Sequence, residues 1–198
     1  MKPTQANHIL CFDFRRGAGG IGGVATSDDT MWAQDEKAGQ RWALEHFGQP
    51  LPKCYPLPKF FESIPQTALT TPLPEGLVLN TWGVADAEAW VLEDYSPNNL
   101  APGSMKPDDL FACGWRALGW DICATGFPFI FFPLSYLYTY ADPWPGAPQH
   151  LRHRLNAVGL IDDYEECVEI VKVTDFSRYD PVDYIPVQLI STLGRAQP

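Results

Sequence analysis

The stretch HILCFDFRRGAGGIGG, His8 to Gly23, admits two readings, and the choice between them sets the fold class. Over residues 8 to 15 the side chains alternate. Leu10, Phe12 and Phe14 fall on one side of a pleat and Cys11 and Asp13 on the other, the period-2 pattern of a half-buried strand. Gly17, Gly19 and Gly22 then satisfy G-x-G-x-x-G directly after that strand, where the dinucleotide fingerprint of an α/β fold belongs. The context does not support that fold. A true fingerprint opens its helix within the glycines, so that helix-start amides face a pyrophosphate, and it places an acid at the end of a second strand about 20 residues on. Here Gly23, Val24, Ala25 and Thr26 intervene, and Asp35 and Glu36 fall in the middle of the helix expected next. The glycines therefore read as a hairpin turn or loop, with a small-ligand-binding or catalytic loop over Gly17 to Gly23 as the alternative.

Downstream, Ser27, Asp28 and Asp29 offer a cap and first-turn acids, Lys37 and Arg41 follow, and Gly48 with Pro50 supplies a stop. That pattern predicts a helix over residues 28 to 47, with Trp42 and Phe47 toward the core. Residues 50 to 75 contain seven prolines together with Tyr55, Phe60 and Phe61, which predicts an ordered loop lying along the surface. Leu77 to Trp82 reads as a strand, and Ala89 to Tyr95 as a second strand or a helix capped by Asp86. Ser104 or Asp108 is placed to cap a helix in which Leu110, Phe111, Gly114, Trp115, Leu118 and Ile122 share one stripe. Gly114 and Gly119 each weaken such a helix by about 1 kcal/mol relative to alanine, which points to close packing or a bend. Phe127, Phe129 and Phe131 share one parity and Tyr136, Tyr138 and Tyr140 the other, as in two short strands separated by a kink at Phe132-Pro133. A short basic helix begins at Pro148 and ends at Gly159, and Val168 to Val173 and Ile185 to Ile190 close the chain as strands. Strands and helices mix without regular βαβ alternation. The expected fold is α+β, a single compact domain over residues 1 to 198 with a mainly antiparallel sheet packed by several helices.

Charge narrows the function. Fourteen basic residues stand against 24 acidic ones, a formal charge of -10. Nucleic acid and anionic membrane are bound largely by neutralising their negative charge, so both are disfavoured and a basic protein is the complementary partner. The five cysteines are odd in number, scattered and never spaced C-x-x-C, which fits neither a disulfide framework nor a zinc site. Met1 to His8 lacks the apolar stretch of a secretory signal, and Phe127 to Tyr138 is too short and too broken by prolines to span a bilayer. A cytoplasmic protein with reduced thiols is expected.

No set of residues assembles into recognisable catalytic chemistry. His150 and His153 share a helical face within reach of Asp162 or Glu165, but the arginines between and beside them repel a cation, so no metal is expected. No G-x-S-x-G is present, and pairings such as Cys113 with His46 or Cys123 with His150 are not distinctive. Cys11, Cys113 and Cys123 lie in apolar surroundings and read as inert. Gly114-Trp115 and Gly119-Trp120 read as core, their glycines letting indoles pack closely. What remains is aromatic and acidic. Eight of the eighteen residues from Phe127 to Trp144 are aromatic, and Asp162-Asp163-Tyr164-Glu165-Glu166 sets four negative charges around one tyrosine. On a binding face tyrosine supplies rigid contact area while acids steer a basic partner. Asp162, Asp163, Tyr164, Glu165 and Glu166 are thus the first candidate contact residues, and Tyr136, Tyr138 and Tyr140 the second.

In size, acidity, aromatic richness and lack of catalytic apparatus the chain resembles the immunity proteins that protect bacteria from polymorphic toxins. The resemblance is one of general character over the whole chain and carries no functional positions across. It implies a non-enzymatic module, needing no cofactor, that occludes a basic toxin effector domain. Acidic side chains then replace substrate phosphates or pair with the toxin's catalytic bases, and aromatic anchors exclude water around them.

Overall fold

The computed structural model describes residues 4–17, 32–53, 60–91, 105–124, 156, 160–173 and 183–193. Among these residues, β1 (His8–Gly17), β2 (Trp32–Gln34), β3 (Leu77–Val84), β4 (Arg116–Ala124) and β5 (Tyr184–Ser191) form one sheet in the order β2-β1-β3-β5-β4. Every neighbouring pair is antiparallel. With α1 (Glu36–Phe47), α2 (Pro107–Ala112) and α3 (Tyr164–Val173) the architecture is α+β, as expected. Gly17 pairs with Trp32, so the glycine-rich segment joins two antiparallel strands. A dinucleotide fingerprint needs a parallel βαβ unit, and the pairing excludes that fold. Residues 18–31 themselves lie outside the described residues.

The helix after the glycines starts later than its sequence pattern suggests, because Trp32–Gln34 is held in the sheet by β1. Asp35, expected in mid-helix, is instead the N-cap of α1. Its carboxylate accepts the Ala38 amide at 3.0 Å and the Arg16 Nε at 2.8 Å, and the guanidinium beside it holds its carboxyl below the usual range. The helix ends as expected at Gly48, whose φ of 71° lets its amide reach the Leu44 carbonyl at 3.1 Å. Trp42 is buried and Phe47 packs against the core.

The sheet is buried on both faces, so the half-buried strand expected over residues 8 to 15 is corrected: Ile9 through Phe14 are all buried. Phe12, Phe14, Leu79, Trp120 and Ile122 pack with Trp42 of α1, Leu110 of α2 and Tyr164, Cys167 and Ile170 of α3. Cys11, Val78, Trp82, Val187 and Leu189 form the opposite cluster with Phe60, Val91 and Leu160. Leu10 belongs to this second cluster and not, as simple alternation suggests, with Phe12. The irregularity between Ile9 and Cys11 inserts one residue and reverses the parity of everything before it.

Two further segments depart from their sequence reading. The helix expected from residue 108 to 122 stops at Ala112; Gly114 turns at φ 83°, and the chain continues as β4. Asp108 does not cap α2, which begins with Pro107 while Asp109 accepts the Lys106 amide at 2.8 Å. Gly119 does mark a bend and a close approach, but within a strand. Its φ is 141°, the β4–β5 register shifts there, and a Cβ would lie 2.7 Å from Leu160 Cβ and 2.9 Å from the Ile161 carbonyl oxygen. Conversely, Val168 to Val173, expected as a strand, belongs to helix α3. Asp163 accepts the Glu166 amide at 3.0 Å at its start, and Tyr164, Cys167 and Ile170 are buried at three-residue steps. The cap and the buried stripe override the strand preference of Val168, Ile170, Val171 and Val173.

The proline-rich loop is ordered around its aromatics, yet it enters the core where a surface path was expected. Phe61 is fully buried and exchanges two 2.9 Å backbone hydrogen bonds with Phe12, covering the part of β1 that β2 does not reach. Residues 54–59, with Tyr55, lie outside the described residues. So do the paired strands expected around Phe127 to Tyr140 and most of the basic helix after Pro148. Of the segment from Ala89 to Tyr95, residues 90 and 91 are helical and those after Val91 are outside.

Gly39 supplies a test of this packing. Helix propensity alone favours alanine at a mid-helix glycine by about 1 kcal/mol. A Cβ at Gly39, however, would lie 2.3 Å from Cδ2 of the buried Phe14 ring, and overpacking of this kind costs about 1–3 kcal/mol. Gly39→Ala is expected to lower the thermal midpoint, and an increase contradicts the placement of α1 on β1.

Candidate functional site

The acidic segment singled out from the sequence sits at the N-terminus of α3, and the phase of that helix sorts its side chains. Asp162, Asp163, Glu165 and Glu169 are exposed and Glu166 is half-buried. Asp162 accepts a hydrogen bond from Asn156 Nδ2 at 2.7 Å, and Asp163 is committed to the helix start. Acids in the first turn complement the helix dipole, so Glu165 has a structural justification. Glu169 has none of that kind. It lies one turn beyond Glu165, and like charges at this spacing cost about 0.2–0.5 kcal/mol. Tyr164 turns the other way. It is 8% exposed, so the contact area expected of it on a binding face is not available.

Behind the acids, Tyr164 joins three elements. Its ring lies 4.9 Å, centroid to centroid, from that of Trp120 in β4, and its hydroxyl donates to Glu88 Oε1 at 2.7 Å. Glu88 ends the one-turn 3-10 helix Asp86–Glu88 that follows β3. Its side chain is buried, and among the described residues Oε2 has no hydrogen-bond partner. Burial raises the Glu88 carboxyl above its ordinary value; the Tyr164 hydrogen bond works against that rise and the Glu165 charge adds to it. Burial, with the Glu88 carboxylate next in importance, pushes the Tyr164 phenol up. Sequence reasoning missed Glu88, having weighed only Asp86 as a cap. A signal was present: Glu88 is a lone acid between Ala87 and Ala89 in a run that continues into Trp90 and Val91.

A second set of buried polar groups crosses the other face of the sheet in register. Asp13 stands opposite Asn80, and Asn80 opposite Ser191. Arg15 Nε donates to Asp13 Oδ2 at 2.6 Å, with its guanidinium 5.8 Å from the Trp82 ring. Ser191 Oγ donates to Asn80 Oδ1 at 2.5 Å. The Ser191 hydroxyl is thereby directed at an amide and not at a base, so the arrangement pins strands and assembles no activated nucleophile.

Other sequence candidates fall as follows. Cys11 and Cys123 are buried as expected, while Cys113 is only half-buried. Burial pushes the Cys123 and Cys167 thiols well up, which keeps them protonated. His46 Nδ1 donates to the Trp42 carbonyl at 2.9 Å. Among the described residues no group of three or more His, Cys, Asp or Glu side chains is placed to hold a metal ion, and no helix is long and apolar enough to cross a membrane. Tyr136, Tyr138 and Tyr140, His150 and His153, and Ala18 to Gly23 of the glycine loop lie outside the described residues. The sequence matches no protein-family model, and comparisons with curated proteins and with solved structures return no match.

Asp13 offers a test of the polar row. Removing Asp13 leaves the charge of the half-buried Arg15 without this partner, at a cost of roughly 2 kcal/mol. Asp13→Ala is expected to lose about that much stability in urea denaturation, and a loss below about 1 kcal/mol would show that Arg15 finds its compensation elsewhere.

Proposed function

We propose that this chain is an acidic, non-enzymatic binding module that occludes a basic protein, in the manner of an immunity protein acting on a toxin effector domain in the bacterial cytoplasm. The observation that carries the reading is the outer face of α3. Glu165 and Glu169 project from a helix whose opposite side is locked by Tyr164, Cys167 and Ile170, with Asp162 exposed just ahead of it. A helix fixed in this way holds its charges in place before a partner arrives, which reduces the ordering cost of association. Negative charge on such a face steers a cationic surface into register and speeds encounter. The repulsion between Glu165 and Glu169 is a small standing cost to the free protein that a cationic partner relieves on binding. In this reading Asp162, Glu165 and Glu169 make the electrostatic contact, Asp163 and Tyr164 hold the helix that presents them, and Tyr136, Tyr138 and Tyr140 supply the aromatic anchors. No cofactor or metal takes part.

The test is retention of a partner from the native cell by the wild type and by the triple variant Asp162→Lys, Glu165→Lys, Glu169→Lys, followed by titration of the protein identified. A stoichiometric basic protein is expected on the wild type, with affinity falling about tenfold or more in the variant and with rising salt. A change of about twofold or less in a variant with unaltered circular dichroism removes this face from the proposal. A bound nucleotide in place of a protein overturns the reading as a whole.

A further inference from the structure

We propose that Glu88 is a proton-operated latch on the first turn of α3: neutral, it lets the helix stay seated against Trp120; ionised, it sets a buried charge in that seam and loosens it. Among the described residues the geometry is that of a buried carboxyl without a counter-cation. Glu88 is 8% exposed, one oxygen accepts the Tyr164 hydroxyl at 2.7 Å, and the other has no partner. The Tyr164 hydroxyl and the Glu88 backbone amide favour its charged form, and burial outweighs them. The other groups that face it from α3 are of the wrong sign to stabilise a charge: the Glu165 carboxylate and the buried Cys167 thiol, which feels both Glu88 and Asp121 of β4. On its own turn, Asp86 is directed elsewhere, its two oxygens meeting His8 Nε2 at 2.9 Å and Asn7 Nδ2 at 2.6 Å. Trp120 contributes only its apolar ring, packed on Tyr164.

A carboxylate in these surroundings is disfavoured against the neutral acid, in keeping with the direction in which burial moves Glu88. The consequence for stability has a definite sign. A raised value means that the folded state holds the proton more tightly than the unfolded chain does. The contribution of neutral Glu88 is fully present below the ordinary glutamate range and is lost as pH rises through the folded-state value. Its loss falls on one place, since Tyr164 is the first residue of α3 and ties the helix to both β4 and the end of β3. The latch therefore sets how firmly the acidic outer face is presented. Its effect on a partner rests on the binding role proposed above, whereas its effect on the helix does not.

The test reads the latch without any partner. Carbon-13 NMR titration of the glutamate carboxyls, with Glu88 assigned by its disappearance in Glu88→Gln, is expected to give Glu88 a midpoint above the ordinary glutamate range. In Tyr164→Phe, which removes the hydrogen bond that favours the carboxylate, that midpoint rises further. Amide protection over Tyr164–Val173, corrected for intrinsic exchange, is expected to fall through the same pH interval in the wild type and to stay level in Glu88→Gln. Ordinary titration of Glu88, or identical protection profiles in the two proteins, overturns the latch. Failure of the partner experiment alone leaves these readouts unchanged, so the two proposals fail separately.

Discussion

A sheet covered on both faces leaves its central strands no route to water, and this constraint organises the molecule. All eight residues of β3 are buried, and in β5 only Tyr184 escapes full burial. Polar side chains on such strands must find partners inside the protein or be paid for in unmet hydrogen bonds. Asn80 meets Ser191, Thr81 donates to the Cys11 carbonyl at 2.8 Å, and Asp13 takes the Arg15 guanidinium. The first two of these bonds tie neighbouring strands in a single register, and the third lies within β1. A one-residue slip would separate the two cross-strand bonds and turn the apolar set inside out.

The same constraint reaches beyond the strands. Where β3 ends, Glu88 is still within the core and is met by Tyr164, which fixes the start of α3 over Trp120. With Tyr164, Cys167 and Ile170 turned inward, the helix has no freedom of rotation, and its acids are presented outward. Stretches of the outer strands are covered by equally local means. Ile161 exchanges 2.6 Å and 2.9 Å backbone bonds with Trp120 on the outer side of β4, and Asn156 Nδ2 reaches the Leu118 carbonyl at 2.8 Å. Phe61 does the corresponding work on β1. Along those stretches the cover removes unpaired backbone groups of the kind through which sheets aggregate. It leaves the outer helix face, with its charge, as the surface on which the proposed function rests.

Much of this was legible in the residues, and the failures share a cause. β1, β3 and β5 show as continuous or alternating apolar runs with β-branched and aromatic side chains, and Gly48 marks the end of α1. The charge of the candidate face was equally plain in Asp162 to Glu166. The stretch Arg116 to Ala124 and the stretch Val168 to Val173 were exchanged, strand for helix and helix for strand, because short apolar runs carry no decisive period. What decided them was out of local reach: Gly119 yielding to Leu160 and Ile161, and the buried stripe of α3 facing the sheet. Leu10 was misplaced because a bulge leaves no mark in composition. Tyr164 reads as a contact residue from the sequence because its direction depends on a helical phase that the strand pattern of Val168 to Val173 conceals. Glu88 was passed over because its burial is set by Tyr164, far away in the chain.

Carboxyl labelling with a carbodiimide, followed by peptide mass spectrometry, tests most directly the claim that one helix turns its tyrosine inward and its acids outward over a sealed glutamate. Glu165 and Glu169 are predicted to label at the rate of solvent-exposed carboxylates, while Glu88 stays unlabelled until the protein is unfolded. Comparable labelling of Glu88 and Glu165 in the native protein would contradict the account.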